Sequence, residues 1–161
     1  MQNMRLVATE ACRRARNSRD FLRLIRRETG LPVEIIAAEE EARLAVISCA
    51  PLVSLRTEQL LVVDIGGGST EFVLGDREVA AARSVDLGSV RLTERHLRSD
   101  PPTADEVTAA MHDVAAALDD AEAEVGFGGI ATLVGLAGSV TTVAAHALGL
   151  PAYDRDAIHL A

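Results

Sequence analysis

Lysine and tryptophan are absent from this 161-residue chain, and its aromatic rings are limited to Phe21, Phe72, Phe127 and Tyr153. Proteins that grip single-stranded nucleic acid stack successive bases on rings along a basic groove, so no nucleic-acid partner is expected. Cysteine is scarce too. Cys12 and Cys49 lack the spacing of a disulfide framework and are expected to be reduced thiols. His96, His112, His146 and His159 show no metal-ligand spacing, which excludes a histidine-based site. No apolar run reaches the length of roughly 20 residues that a membrane span needs, and no signal-peptide core opens the chain. A cytoplasmic protein without a membrane partner is expected.

What is present is an ordinary globular composition, 48% hydrophobic and 25% charged, sufficient for one medium domain or two small ones. The net charge of −8 is unevenly spread. Residues 1–30 carry eight Arg against Glu10, Asp20 and Glu28, whereas the remainder carries eight Arg against twenty-one acids. The basic end suits a polyanion, or is a solvated helix face.

The densest chemistry lies in Leu60-Leu61-Val62-Val63-Asp64-Ile65-Gly66-Gly67-Gly68-Ser69-Thr70-Glu71-Phe72-Val73-Leu74-Gly75. An apolar run ends at Asp64, three glycines follow, and a second run starts at Thr70, the pattern of two buried strands joined by a loop nearly without side chains. Glycines tolerate positive φ and leave backbone N–H groups open to an anion, so Gly66, Gly67, Gly68, Ser69 and Thr70 are candidate phosphate ligands. A side chain at Gly67 is expected to fill the phosphate's place. Asp64 and Glu71 supply the oxygen ligands that Mg2+ prefers. No Lys follows the glycines, which excludes the Walker-A type of phosphate loop.

Along the rest of the chain, a strand at 4–9 precedes helices at 11–16 and from 17 or 18 to Gly30, the second with Phe21, Leu22, Leu24 and Ile25 as its apolar stripe. A strand at 33–36 leads into a helix at 38–49 that opens on Glu39-Glu40-Glu41. Acids there suit the helix dipole, yet a strand-to-helix junction is also where α/β proteins bind ligands. Residues 51–59 are polar and turn-like, a candidate boundary between lobes. Beyond the glycine loop come a third antiparallel strand at 78–85, a short helix to about 97 and a long helix to about 125. Thr103 and Glu106 form a capping box for the long helix. A strand at 131–136 runs into Ala137-Gly138-Ser139 and another helix, so Gly138 and Ser139 are a second candidate anion site. A last helix is capped by the segment Tyr153-Asp154-Arg155-Asp156.

Asp-Ile-Gly-Gly-Gly-Ser-Thr-Glu resembles the second phosphate loop of the actin, sugar-kinase and heat-shock-chaperone ATPase superfamily, and most closely the signature of the exopolyphosphatase/guanosine pentaphosphate phosphohydrolase family. Thr9-Glu10-Ala11-Cys12-Arg13-Arg14-Ala15-Arg16-Asn17, Glu40-Glu41-Ala42-Arg43-Leu44, Ser84-Val85-Asp86-Leu87-Gly88 and the stretch 135–141 are similar to further segments of that family, in order. The resemblance implies an α/β fold of the actin-like (ribonuclease H-like) class, a mixed sheet with flanking helices in two partial lobes, 1–57 and 58–161. It implies that Arg13 faces the substrate phosphates and that Glu41 is the catalytic base. The family's first phosphate loop has no counterpart in residues 1–10, so a middle fragment is expected, whose unpaired sheet edge favours dimerisation or aggregation.

By the same resemblance the reaction is Mg2+-dependent hydrolysis of the terminal phosphate of inorganic polyphosphate, or of the 5′ γ-phosphate of guanosine pentaphosphate, in a protein that is a homodimer at full length. The alternatives are a non-catalytic phosphate or nucleotide sensor, an inactive fragment, and an ATP-dependent sugar kinase or chaperone ATPase. Against the last stand the Glu41 segment and the lack of a sugar-binding motif.

Overall fold

The computed structural model describes residues 4–49, 59–76 and 78–159. Its elements are β1 (Leu6–Ala8), α1 (Glu10–Arg14), α2 (Ser18–Thr29), β2 (Val33–Ile35), α3 (Ala38–Cys49), β3 (Leu60–Ile65), β4 (Thr70–Gly75), β5 (Val79–Val85), α4 (Ser89–His96), α5 (Ala104–Val125), β6 (Thr132–Leu136), α6 (Ala137–Ala147) and α7 (Arg155–Ile158). β1 and β2 pair in parallel, while the larger sheet has the order β5-β4-β3-β6. Within it the meander β3-β4-β5 is antiparallel and β6 joins β3 in parallel. The expected lobe boundary at 57/58 lies outside the described residues.

α3 and α5 cover opposite faces of the larger sheet, with α6 packed beside β3 and β6, and the strand alternation sorts the side chains between the two faces. Leu60, Val62 and Val73 pack under Ala42, Val46 and Cys49 of α3. Leu61, Phe72, Leu74 and Val85 pack against Ala121 and Val125 of α5 on the opposite face. Leu60, Val46, Val62 and Val73 are fully buried, and such side chains each stabilise by about 1.5–3 kcal/mol. The same period of two places Asp64 and Glu71 on the α3 side, in step with Val62 and Val73. They are direct cross-strand partners.

Local signals behave as the sequence predicts at several ends. Thr103 and Glu106 form the reciprocal capping box of α5, Asp154 caps α7, and Gly30 closes α2 in the left-handed region at φ 72°. α2 departs from expectation. Phe21 and Leu24 of its apolar stripe are exposed, as are Arg19, Arg23, Arg26 and Arg27, because this helix rests mainly on α1 and β2. Cys12 and Cys49 are free thiols. No helix among the described residues is long and apolar enough to cross a membrane.

Candidate active site

A cavity of about 510 Å³ opens between α1, the start of α3 and the glycine loop, lined by Glu10, Arg14, Glu41, Asp64, the loop Gly66–Ser69, Glu71 and Arg91 among others. Sequence-distant groups meet here for simple reasons. Strand alternation turns Asp64 and Glu71 toward α3, and Glu41 occupies the first turn of α3 directly above them. Of the three glutamates in that turn, Glu41 alone lines this cavity. Glu40 is bound instead by Arg43 and Arg5, which hold its carboxyl down at about 2. Glu39 borders a different depression.

Arg13 stands behind Glu41 and is not among the lining residues. Its Nη1 donates to Glu41 Oε2 at 2.8 Å and to the Ile36 carbonyl at 2.9 Å, and its Nε and Nη2 donate to Glu10 at 3.3 and 3.2 Å. In this state the guanidinium aims and charge-balances the Glu41 carboxylate. The arginines that border the cavity are Arg14 and Arg91, which the sequence reading left without a role.

The loop owes its character to α4. Ser89 N donates to Gly66 O at 3.0 Å, the amides of Val90 and Arg91 donate to Gly67 O at 3.0 and 3.1 Å, and Arg91 Nε donates to Gly68 O at 2.8 Å. Ser69 O accepts from Gly66 N at 3.0 Å, so every carbonyl from Gly66 to Ser69 is occupied. The amides of Gly67, Gly68 and Ser69 donate to no group among the described residues. A loop with its acceptors consumed and its donors free is electrostatically an anion seat. The helix that would otherwise point its own N-terminal amides outward uses them to hold the loop carbonyls away from the cavity.

Three expectations change at this loop. None of Gly66, Gly67 and Gly68 lies at positive φ, so glycine is needed for close approach and not for a left-handed backbone. A Cβ on Gly67 would stand 3.2 Å from Val90 Cγ2, directed at α4 and not at the cavity residues. The hydroxyls are spent inside the protein: Ser69 Oγ donates to Glu71 Oε1 at 2.6 Å and Thr70 Oγ1 to Leu87 O at 2.6 Å. The residue on which the loop itself depends for close approach is Gly88, where a Cβ would sit 2.4 Å from both C and O of Gly67. A glycine at the entry to a helix that follows a strand is the sequence signal that marks it.

Gly138 and Ser139 do not reach the Glu41 cavity. No separate Gly-Ser turn forms, because α6 starts at Ala137 immediately after β6, with Ala137 at φ 70°. Together with Ile65, Gly66, Gly67, Ser89 and Thr142 they line a shallower depression on the other side of the loop.

Burial, followed by the nearby Glu41 charge, pushes the Asp64 carboxyl above its ordinary range. Burial raises Glu71 as well; the Ser69 and Ser84 hydroxyls act against it, and Glu41 and Asp64 add to it. A carboxylate whose folded pKa is raised stabilises the fold below the unfolded value and loses that contribution as pH rises through the folded one. At neutral pH Asp64 therefore weakens the fold. Asp64→Asn is expected to raise Tm at pH 7, by about 2–4 °C for each 1 kcal/mol gained in a chain of this size. The difference should shrink as pH falls through the raised folded value of Asp64 and vanish below about pH 4, the ordinary carboxylate range in which the unfolded chain also takes up the proton. An unchanged or lower Tm at pH 7 would show that the carboxylate is not under repulsion.

Asp64 makes no hydrogen bond or ion pair among the described residues, and Glu71 keeps Oε2 free because both serine hydroxyls use Oε1. No group of three or more His, Cys, Asp or Glu side chains among the described residues is arranged as a metal site. Two carboxylates beside an anion seat nevertheless fit a hard cation that keeps several waters and is completed by phosphate oxygens, as Mg2+ is.

Residues 1–155 match the model of the Ppx/GppA phosphatase family. The chain belongs to that family. It is 43% identical over 164 residues to exopolyphosphatase 2 of Mycobacterium tuberculosis, covering 99% of this chain and 51% of that protein. It is 41% identical over 96 residues to exopolyphosphatase 1 of Mycobacterium bovis, covering 59% of this chain and 28% of the relative. Among solved structures, an exopolyphosphatase-like protein superposes with a TM-score of 0.88 at 40% identity, over 97% of this chain and 51% of that one. The type II variant of the Aquifex aeolicus Ppx/GppA phosphatase superposes with a TM-score of 0.72 at 38% identity, over 97% and 50%. The chain spans about half the length of the curated relatives it matches. The α/β architecture of this Ppx/GppA chain, a mixed sheet between helices, is the expected fold class and is shared with the Aquifex aeolicus structure.

Proposed function

We propose that this protein is a phosphoanhydride hydrolase that releases the terminal phosphate of inorganic polyphosphate, or the 5′ γ-phosphate of guanosine pentaphosphate. One observation carries the reading: Glu41, aimed by Arg13, lines a single cavity with a loop whose carbonyls are consumed and whose Gly67, Gly68 and Ser69 amides meet no acceptor among the described residues. The two relatives named above as exopolyphosphatases point the same way.

Phosphoryl transfer asks for an in-line nucleophile and for neutralisation of charge spreading over the transferred group, with little covalent work by the protein. The amides of Gly67, Gly68 and Ser69 would bind the terminal phosphoryl oxygens, with Gly66 and Thr70 holding the loop ends. Glu41 would take the proton of the attacking water, its carboxylate oriented by the hydrogen bond from Arg13. The water oxygen forms the new P–O bond as the bond to the bridging oxygen breaks, and the shortened chain leaves with that oxygen. Asp64, with Glu71, would hold Mg2+, which supplies charge neutralisation at the phosphate oxygens. In this reading residues 1–57 and 58–161 belong to two lobes that close the cavity, and the intact protein is a homodimer.

The deciding experiment is orthophosphate release from polyphosphate and from guanosine pentaphosphate with Mg2+, run beside ligand-induced thermal shift. Release from either substrate is expected. A thermal shift without release would identify a phosphate sensor instead.

A further inference from the structure

Two guanidinium groups that the mechanism above does not use face the cavity from different parts of the fold. Arg14 ends α1 and Arg91 lies in the first turn of α4, and both line the cavity with Glu41, Asp64 and the glycine loop. One carboxylate oxygen joins them. Arg14 Nη1 donates to Asp86 Oδ1, and Arg91 Nε stands 3.0 Å from the same atom. Arg95 Nη2 lies 3.9 Å from Oδ2. Arg91 Nε is fixed a second time by Gly68 O at 2.8 Å, and a Cβ on Gly68 would be 3.7 Å from Arg91 Nη2, so this guanidinium lies against the loop.

Like charges on separate elements converge only where a counter-charge holds them, and Asp86, between β5 and α4, is that counter-charge. The side chains of Arg14 and Asp86 are half-exposed, and pairs in that setting add little to stability. What Asp86 does is orient. It accepts from Arg14 Nη1, which also donates to Glu10 Oε1 at 3.4 Å, and pairs by charge with Arg91 Nε, whose hydrogen goes to Gly68 O, while Nη1 and Nη2 of Arg91 and Nε and Nη2 of Arg14 meet no acceptor among the described residues. Free N–H groups on two forks beside an anion seat match the non-bridging oxygens of a further phosphoryl group.

We propose that Arg14 and Arg91, with Asp86 as their positioning residue, form a second phosphoryl subsite next to the glycine loop. It takes the phosphoryl group adjacent to the terminal one and gives the site its preference for phosphate chains over orthophosphate. This rests on the phosphate reading of the loop.

The test is the affinity of inorganic tripolyphosphate and of orthophosphate, by calorimetry, on the intact protein carrying Glu41→Gln so that nothing is turned over. Tripolyphosphate is expected to bind more tightly. Arg14→Gln should remove about tenfold or more of that preference, the loss of hydrogen bonds to a charged partner, with little change for orthophosphate. Asp86→Asn should reduce the preference in the same direction, and Asp86→Glu should restore part of it, which a merely structural role would not produce. Arg91→Gln also frees Gly68 O, so its orthophosphate affinity reports separately on the loop. Equal weakening of both ligands by Arg14→Gln and Asp86→Asn, or no weakening, overturns the subsite and leaves the phosphate reading standing. Binding of neither ligand to the unsubstituted site overturns both.

Discussion

Replacing Glu41 with Gln in the intact protein is expected to lower kcat for polyphosphate by about 10²–10⁴-fold, the usual contribution of a positioned general base, with substrate affinity nearly unchanged. The structure makes this substitution clean. Gln keeps the shape of Glu and an oxygen that accepts from Arg13 Nη1, while Arg13 retains Glu10 and the Ile36 carbonyl as partners. No buried cation is stranded, so a fall in activity reports on proton transfer and not on collapse of the site. Steady-state kinetics together with binding of tripolyphosphate separates the two quantities. Wild-type kcat in this variant would remove Glu41 from the chemistry, and loss of binding would make it a substrate ligand instead. Arg13→Gln provides the counterpart: it should depress kcat with little change in tripolyphosphate affinity, because it removes the fork that orients Glu41 without touching the loop.

The second large effect is expected at a residue with no functional group at all. Gly88→Ala introduces a Cβ that would sit 2.4 Å from Gly67 C and O and 2.6 Å from Gly68 N. Its backbone, at φ −147° and ψ 166°, is extended and open to any residue, so conformational preference is not the obstacle. Contact with backbone is. Flexible side chains can move aside, but here either the loop or the start of α4 must shift, and overpacking of this kind costs about 1–3 kcal/mol. The functional loss should be larger than that figure suggests. Once α4 is displaced, Ser89, Val90 and Arg91 release the carbonyls of Gly66, Gly67 and Gly68, and free carbonyl oxygens then face an incoming anion. Phosphate binding is expected to fall by about 10²-fold or more, the effect of losing two or more hydrogen bonds to a charged group. Thermal unfolding and phosphate titration measure the two parts. If Gly88→Ala binds phosphate normally, the capture of the loop carbonyls by α4 is not what makes the seat.

By comparison Gly67→Val should act indirectly. Its side chain would press on Val90, 3.2 Å from the Cβ position, so it too works by moving α4 and not by filling the cavity.

How much of this site was visible in the chain can be judged residue by residue. Asp64, Gly66–Ser69 and Glu71 are adjacent in sequence, and a hairpin keeps neighbours together, so their grouping was legible. The capping box at Thr103 and Glu106 and the αL glycine at Gly30 were legible for the same reason, being decided within one helical turn. Glu41 was singled out by resemblance to a family segment, because composition alone does not distinguish it from Glu39 and Glu40. The places of Arg13 and Arg14 were not legible. They are consecutive on one short helix, and which of them turns toward α3 and which toward Asp86 depends on how that helix lies on the molecule. Gly138 and Ser139 looked like an anion turn because strand, glycine and hydroxyl occur in that order, yet α6 begins without a turn and the pair faces another depression.

The amino-acid sequence by itself determined the hairpin, its carboxylates at either end of a side-chain-free bend, and the alternation that sends Asp64 and Glu71 to one face of the sheet, since each follows from backbone periods of a few residues. Only the tertiary structure decided that α4 would take up the loop carbonyls, that Arg13 would serve Glu41, and that Asp86 would gather Arg14 and Arg91. Those outcomes depend on hydrogen bonds and charge contacts between segments far apart in the chain, and on the close approach that one missing Cβ, at Gly88, allows.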